Sequence, residues 1–308
     1  MGQLHKPAPL AFGDKVALIA PSGPLLHPER LDSAVEYLKS LGLEPVCDTS
    51  TLARYGYLAG RDHLRAHNIN QAFADKDVKG IFCIRGGYGA ARILDAIDYD
   101  NVRKNPKFFC GYSDITALHI AFNQQANLMT FHTPMVCEAG FCDADAYTLE
   151  YFNKCIFGKI DDIYIENPNG FTWEFLVEGN AEGVLCGGNL SVITSLMGTP
   201  YEIDTKGKVL FLEDIGEEPY RIDRMLTQLH LADKLKYVAG IIFGDFADCC
   251  AKDEKNSLTI QEIISNFELK IPIVYGISCG HCAPTLSLPL GAMVKLCFAT
   301  KTLRICVQ

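Results

Sequence analysis

The sequence predicts an α/β protein in two parts: an N-terminal open parallel sheet flanked by helices, and a C-terminal mixed α/β domain with a β-rich tail. Three observations carry this prediction. Between Val16 and His132, apolar runs of strand length alternate with segments of helical periodicity, the pattern of βα units feeding a parallel sheet. From Cys137 to about Thr172 that pattern weakens, and turn residues such as Asp143, Asp145, Asp161, Asp162, Asn167, Pro168 and Gly170 mark a connection, with the boundary between Gly158 and Trp173. The chain then resumes α/β alternation and closes on two short runs that pair as a hairpin. The domains are accordingly expected over residues 1–165 and 172–308, a division that suits a chain of 308 residues.

The elements follow in order. Val16–Ala20 is apolar on both faces, as a strand covered on both sides by helices must be. From Pro28 to Leu41, Leu31, Ala34, Val35, Leu38 and Leu41 share one helical face. A short strand is expected around Pro45–Cys47, a polar helix over Arg61–Ala74, a buried strand at Gly80–Ile84 and a helix through Ala91–Ile97. Phe108–Cys110 is again a strand, Ile115–His119 starts a helix, and Met129–His132 closes the series, with a helix near Ala146–Cys155. In the second half, strands are expected within Ala181–Leu190, at Val209–Leu212, Tyr237–Phe243 and Ile273–Tyr275, with helices to Met197, over Pro219–Leu231 and over Thr259–Phe267. Gly291–Cys297 and Thr302–Val307 form the terminal hairpin.

Composition removes several classes of function. A net charge of -9 opposes binding to nucleic acid, which needs a basic face. No apolar run approaches a membrane span. Met1–Asp14 lacks a basic region followed by an apolar stretch, so no signal peptide is expected. Thirteen cysteines without an export signal imply reduced thiols in a cytoplasmic protein.

The chemistry centres on Gly111-Tyr112-Ser113-Asp114, which falls between a strand and a helix. A sharp turn there holds the serine hydroxyl clear of the sheet, beside unpaired N–H groups at the new helix's start. Such a serine is either a nucleophile or a helix cap. Pro21-Ser22-Gly23 and Arg85-Gly86-Gly87-Tyr88-Gly89 also follow strands, so all three loops line the carboxyl edge where such sheets bind ligands. The Arg85–Gly89 loop lacks the lysine and spacing of a phosphate loop. Its glycines offer close backbone approach and an N–H that could join that of Asp114 in an oxyanion hole. Arg85 has the planar fork that suits a carboxylate, or else it pairs with an acid and shapes the loop.

A nucleophilic serine needs a base and the base an orienting acceptor. His63 and His67 belong to a polar helix, His5 to a frayed terminus, and His119 to the core or an interface. His132, at a strand end, and His281, in a loop bounded by Gly280 and Pro284, remain nearly tied. Glu213 and Asp214, which follow the Val209–Leu212 strand, are the candidate acceptors; otherwise Glu213 is merely exposed and Asp214 starts a turn. Cys279-Gly280-His281-Cys282 has the spacing of a redox pair but lacks the helix that would activate it. Cys249 and Cys250 are adjacent rather than spaced as a zinc-ligand pair. No metal or cofactor is expected.

Taken together, Ala20-Pro21-Ser22-Gly23, Arg85–Gly89, Gly111–Asp114, Gly187-Gly188-Asn189-Leu190, Leu212-Glu213-Asp214 with Pro219–Arg224, and Gly280-His281 resemble the LD-carboxypeptidases, a group of serine peptidases. The resemblance spans nearly the whole chain. It implies Ser113 as nucleophile, His281 as general base and Glu213 as its orienter. It also implies an oxyanion hole from Gly87 and Asp114, and substrate contacts from Arg85, Gly86 and Tyr88. The nucleophile would come from the N-terminal domain and the glutamate and histidine from the C-terminal one, with the site between them. The implied substrate is a murein tetrapeptide losing its terminal D-alanine in the cytoplasm, and the implied assembly a homodimer. Two departures stand out. Thr133 occupies a position where glycine is expected, and no aromatic-rich insertion lies between Asn189 and Glu213. Relatives acting on peptidyl-nucleotide antibiotics carry such an insertion, so its absence favours the cell-wall substrate.

Overall fold

The computed structural model describes residues 4–306. Its contacts divide the chain into two units, one running to Ile160 and taking in Ser287–Gly291, the other comprising Asp161–Leu286 and the segment from Ala292 onward.

In the first unit the order is β1 (Lys15–Ile19), α1 (Glu29–Ser40), β2 (Glu44–Cys47), α2 (Asp62–Ala74), β3 (Val78–Cys83), α3 (Tyr99–Lys104), β4 (Phe108–Gly111), α4 (Thr116–Gln125), β5 (Thr130–His132) and α5 (Ala146–Ile156). The runs that are apolar on both faces became the central strands: every residue of β4 is buried, as are the last four of β1. Leu31, Ala34 and Leu38 turn the expected stripe of α1 inward. Phe73 of α2, Phe109 of β4 and Phe122 of α4 interlock, the last two edge to face at 4.8 Å. Three expectations change here. Residues Ala90–Ala96 form a 3-10 turn rather than an α-helix, and α3 was not expected. His5 is exposed but not frayed, since its backbone bonds to Asn127 and Met129.

The second unit contains β6 (Ile163–Ile165), β7 (Glu174–Val177), β8 (Ala181–Asn189), α6 (Leu190–Ser195), β9 (Val209–Ile215), α7 (Pro219–Leu231), β10 (Gly240–Ala247), α8 (Ile260–Asn266) and β11 (Ile273–Tyr275). The chain next supplies β12 (Leu288–Leu290) to the first unit, then returns for β13 (Met293–Cys297) and β14 (Thr302–Cys306). The terminal hairpin pairs antiparallel from Met293↔Cys306 to Cys297↔Thr302; Val307 lies outside the described residues. Strands β6 and β7 fall in or beside the stretch expected as a connection.

The first sheet has the order β12-β5-β4-β3-β1-β2. It is parallel apart from its edge strand β12, which pairs antiparallel with β5. The expected all-parallel sheet is thus corrected at one edge, by a strand drawn from the segment expected in the C-terminal domain. The second sheet, β6-β14-β13-β8-β9-β10-β11-β7, is mixed: β8 to β11 run parallel and the outer pairs antiparallel. Among the described residues no helix is long and apolar enough to cross a membrane.

Candidate active site

Within the first unit, the carboxyl ends of β1, β3 and β4 lie side by side in parallel register, so the loops that follow them meet. Ser113 sits at the turn after β4 with φ of 62°, the left-handed region. A non-glycine residue held there is uncommon and costs roughly 1–3 kcal/mol, which the surrounding contacts must offset. They do so by a close fit. A side chain at Gly86 would place its Cβ 2.9 Å from the Ser113 Cβ and 3.0 Å from Oγ. The Arg85–Gly89 loop can therefore pass over the serine only because residue 86 has no side chain.

The carboxylate of Asp114 ties the three loops together. Buried at 5% exposure, it accepts hydrogen bonds from the Ser22 hydroxyl and from the Ala90 N–H at 2.8 Å. Burial pushes its pKa up, against the pull of those donors. The Gly23 N–H donates to the Gly86 carbonyl at 2.8 Å. From beneath, the fully buried Arg65 donates to the carbonyls of Pro21 and Gly89 at 2.5 and 2.7 Å and pairs with Asp62. Among the described residues, neither the Gly87 nor the Asp114 N–H donates to another backbone group in the loops and turns.

The remaining first-unit candidates have other surroundings. Arg85 donates to the Pro24 carbonyl rather than to an acidic neighbour, and Tyr88 is half-exposed, packed edge-on against Tyr57 at 5.7 Å. His119 is fully buried, its Nε2 against the Gly111 carbonyl at 2.9 Å, and burial drives its pKa down to about 4. His132 is buried beside the Tyr112 ring at 5.7 Å.

In the second unit, Glu213 lies inside β9, not at its end, and is fully buried. Its Oε2 accepts a hydrogen bond from Nδ1 of His281 at 2.7 Å. Burial raises the Glu213 pKa, and the His281 bond opposes that rise. Of the two candidate histidines, His281 is the one that the structure brings against this carboxylate. Gly280, at φ of 128°, makes the approach possible, because a Cβ there would lie 2.8 Å from the Glu213 Oε2. The histidine loop is pinned on both sides. The Ser278 hydroxyl donates to the Pro284 carbonyl at 2.6 Å, and the Gly280 N–H donates to Thr285 Oγ1 at 3.2 Å.

Asp214 is buried as well and starts no turn. It accepts from Ser191 N and Oγ at 2.9 and 2.7 Å and from Asn189 Nδ2 at 3.1 Å, while Asn189 Oδ1 caps α6 through Val192 N at 3.1 Å. The Gly187–Leu190 motif is thus an elbow between β8 and α6, clamped to the strand that carries Glu213. The sequence reasoning missed the roles of Arg65 and the Asp114 carboxylate. A signal for the first existed: Arg65 shares an i, i+4, i+7 stripe with Ile69 and Ala72 on α2.

Comparison with known proteins identifies the family to which the chain belongs. The family model described as the LD-carboxypeptidase N-terminal domain matches residues 16–133, and that of the LD-carboxypeptidase C-terminal domain matches residues 182–296. The chain is 42% identical to the "probable murein peptide carboxypeptidase" of Bacillus subtilis (strain 168), over 97% of this chain and 93% of the relative. It is 28% identical to the murein tetrapeptide carboxypeptidase of Pseudomonas aeruginosa, over 92% of each. Among solved structures, an MccF-like protein from Bacillus anthracis superposes with a TM-score of 0.90 at 29% identity, covering 99% of this chain and 100% of that one. The muramoyltetrapeptide carboxypeptidase from Oxalobacter formigenes gives 0.79 at 30% identity, covering 94% and 97%. With both of its domains matched in order and the strand ends built as described, this chain belongs to the LD-carboxypeptidase family.

Proposed function

We propose that this protein is a serine carboxypeptidase that hydrolyses the bond before the terminal D-alanine of murein tetrapeptide. The observation that carries the reading is the 2.7 Å contact between His281 Nδ1 and the buried Glu213 carboxylate. An imidazole whose Nδ1–H is bound to a carboxylate carries its lone pair on Nε2, the form a general base requires. In this reading Nε2 takes the proton from the Ser113 hydroxyl as Oγ attacks the carbonyl carbon of the penultimate residue. The N–H groups of Gly87 and Asp114 receive the oxyanion. His281 then returns the proton to the departing D-alanine nitrogen, and water repeats the sequence on the acyl-enzyme. Glu213 stabilises the imidazolium formed in each half without itself being protonated.

The substrate assignment is supported by the names of the B. subtilis and P. aeruginosa relatives and by the short segment between Asn189 and Glu213. The MccF-like neighbours share the fold, but the sequence lacks the inserted loop expected of enzymes that act on peptidyl-nucleotides. We further propose that it works in the cytoplasm as a homodimer, as the family resemblance implies, with Arg85, Gly86 and Tyr88 facing the substrate. The test is to incubate the protein with murein tetrapeptide and follow D-alanine by mass spectrometry, alongside labelling by a serine-directed phosphonate. Release of D-alanine and labelling are both expected, and both are lost in Ser113→Ala. Normal turnover by Ser113→Ala, or no release by the unaltered protein, would overturn the proposal.

A further inference from the structure

A carboxylate that the proposed mechanism does not use stands close to His281. Strand β10 pairs with β9 through Phe243↔Leu212 and resumes at Phe246↔Asp214. Two residues, Gly244 and Asp245, therefore oppose the single residue Glu213. Such a bulge re-aims a side chain, and bulges recur beside active sites. Here the bulged backbone is held onto the histidine loop, with the Asp245 N–H donating to the Cys279 carbonyl at 2.9 Å. The Asp245 side chain lines a cavity of about 510 Å³, together with Cys249, Leu258, Tyr275, Ser278 and Cys282, the residue next to the base. It is the one formally charged side chain among those lining residues.

The surroundings of that carboxylate are incomplete. Burial raises its pKa, and the charges that act on it are His281 and Asp248; among the described residues no hydrogen bond offsets the burial. A half-buried carboxylate without a donor is costly unless a cation arrives to share its desolvation. The cavity around it is of the size that small-ligand sites occupy, and its walls are otherwise apolar or neutral.

We infer that Asp245 and this cavity form the pocket for the side chain of the residue that precedes the scissile bond, and that the carboxylate selects a side chain ending in an ammonium group. The inference rests on the proposed peptidase reading and deepens it: the substrate carries a diamino acid at that position. A carboxylate beside the base suits this use, because the residue before the scissile bond carries its side chain away from the carbonyl under attack. An ammonium on a flexible stem of about four carbons would reach past the imidazole into the cavity.

Two tetrapeptides separate the possibilities, one with lysine before the terminal D-alanine and one with norleucine, which keeps the carbon stem and lacks the ammonium. The measurement is kcat/KM for each with the unaltered protein, Asp245→Asn and Asp245→Glu. The unaltered protein is expected to favour the lysine peptide tenfold or more. Asp245→Asn should bring that ratio close to one, mainly through KM, and Asp245→Glu should restore part of it. A ratio near one in the unaltered protein, or one that Asp245→Asn leaves in place, would overturn the pocket while D-alanine release upholds the peptidase. Equal losses on both peptides with an acid shift of the pH profile would also overturn it, showing that Asp245 acts through His281. If neither peptide is cleaved, the peptidase reading fails and the pocket with it.

Discussion

Glu213→Gln isolates the role of charge behind the histidine at almost constant shape. The carboxylate is fully buried and bonded to Nδ1 at 2.7 Å. A hydrogen bond to a charged group contributes about 1.5–3 kcal/mol, which at about 1.36 kcal/mol per tenfold in rate predicts a loss of roughly 10- to 150-fold. A second effect adds to it. The glutamine amide can donate to Nδ1 as readily as accept from it, and donation puts the imidazole proton on Nε2, where the base must be empty. With the wrong tautomer included, kcat should fall roughly a thousand- to ten-thousand-fold. D-alanine release at saturating tetrapeptide is the assay, and a loss below tenfold would refute the orienting role. Stability supplies an independent check. Burial holds the folded pKa of Glu213 above its ordinary value of 4.5. The folded state therefore binds the proton more tightly, and stability is lost as pH rises from about 4.5 through the raised folded value. Glutamine does not titrate, so Glu213→Gln should lose less stability than the unaltered protein over that rise.

Three further outcomes are expected. Gly86→Ala would bring a methyl group to 2.9 Å from the Ser113 Cβ; kcat should drop roughly a hundredfold for a displacement of this order with far-ultraviolet circular dichroism unchanged, and near-normal turnover would show that the loop yields. His119, at a folded pKa of about 4 against 6.5 unfolded, stays neutral when folded while the unfolded chain takes up a proton, so stability falls as pH drops from 6.5 towards 4, by about 3 kcal/mol at most. His119→Gln, which keeps a donor for the Gly111 carbonyl, should lose less between pH 7 and pH 5 in urea titrations; an identical loss would contradict the assignment. For Arg85→Met, carboxylate binding predicts that turnover of the free acid falls far more than that of a C-terminal amide, whereas equal losses would match its bond to the Pro24 carbonyl and a role in shaping the loop.

Legibility from the sequence followed the strength of local signals. Helix α7 was read with its observed limits, because Pro219 sits where a first-turn proline belongs and Ile222, Leu226 and Leu229 repeat on one face. Strands β6 and β7 left no trace, being edge segments of three and four residues with little buried surface to impose alternation. Glu213 and Asp214 were expected at a strand's end because a buried carboxylate needs partners, and theirs come from distant parts of the chain. His281 is 68 residues away and Ser191 is 23. The same distance kept His132 and His281 level until the acceptor was seen. Asp245 could not be found from sequence at all, since its direction depends on a one-residue slip between β9 and β10.

The route of the chain through β12 bears on how the protein is made. The first sheet is closed at one edge by Leu288–Leu290 pairing with Thr130–His132, so a nascent chain completes β5 long before its covering strand has been translated. At about 5–20 residues per second, that edge waits on the order of ten seconds with unpaired N–H and C=O groups. An open edge of this kind is a template for pairing with another chain. The exposed interval should make β5 a natural station for a ribosome-associated chaperone, and stop codons placed before Leu288 should yield truncated chains that precipitate rather than a soluble N-terminal half.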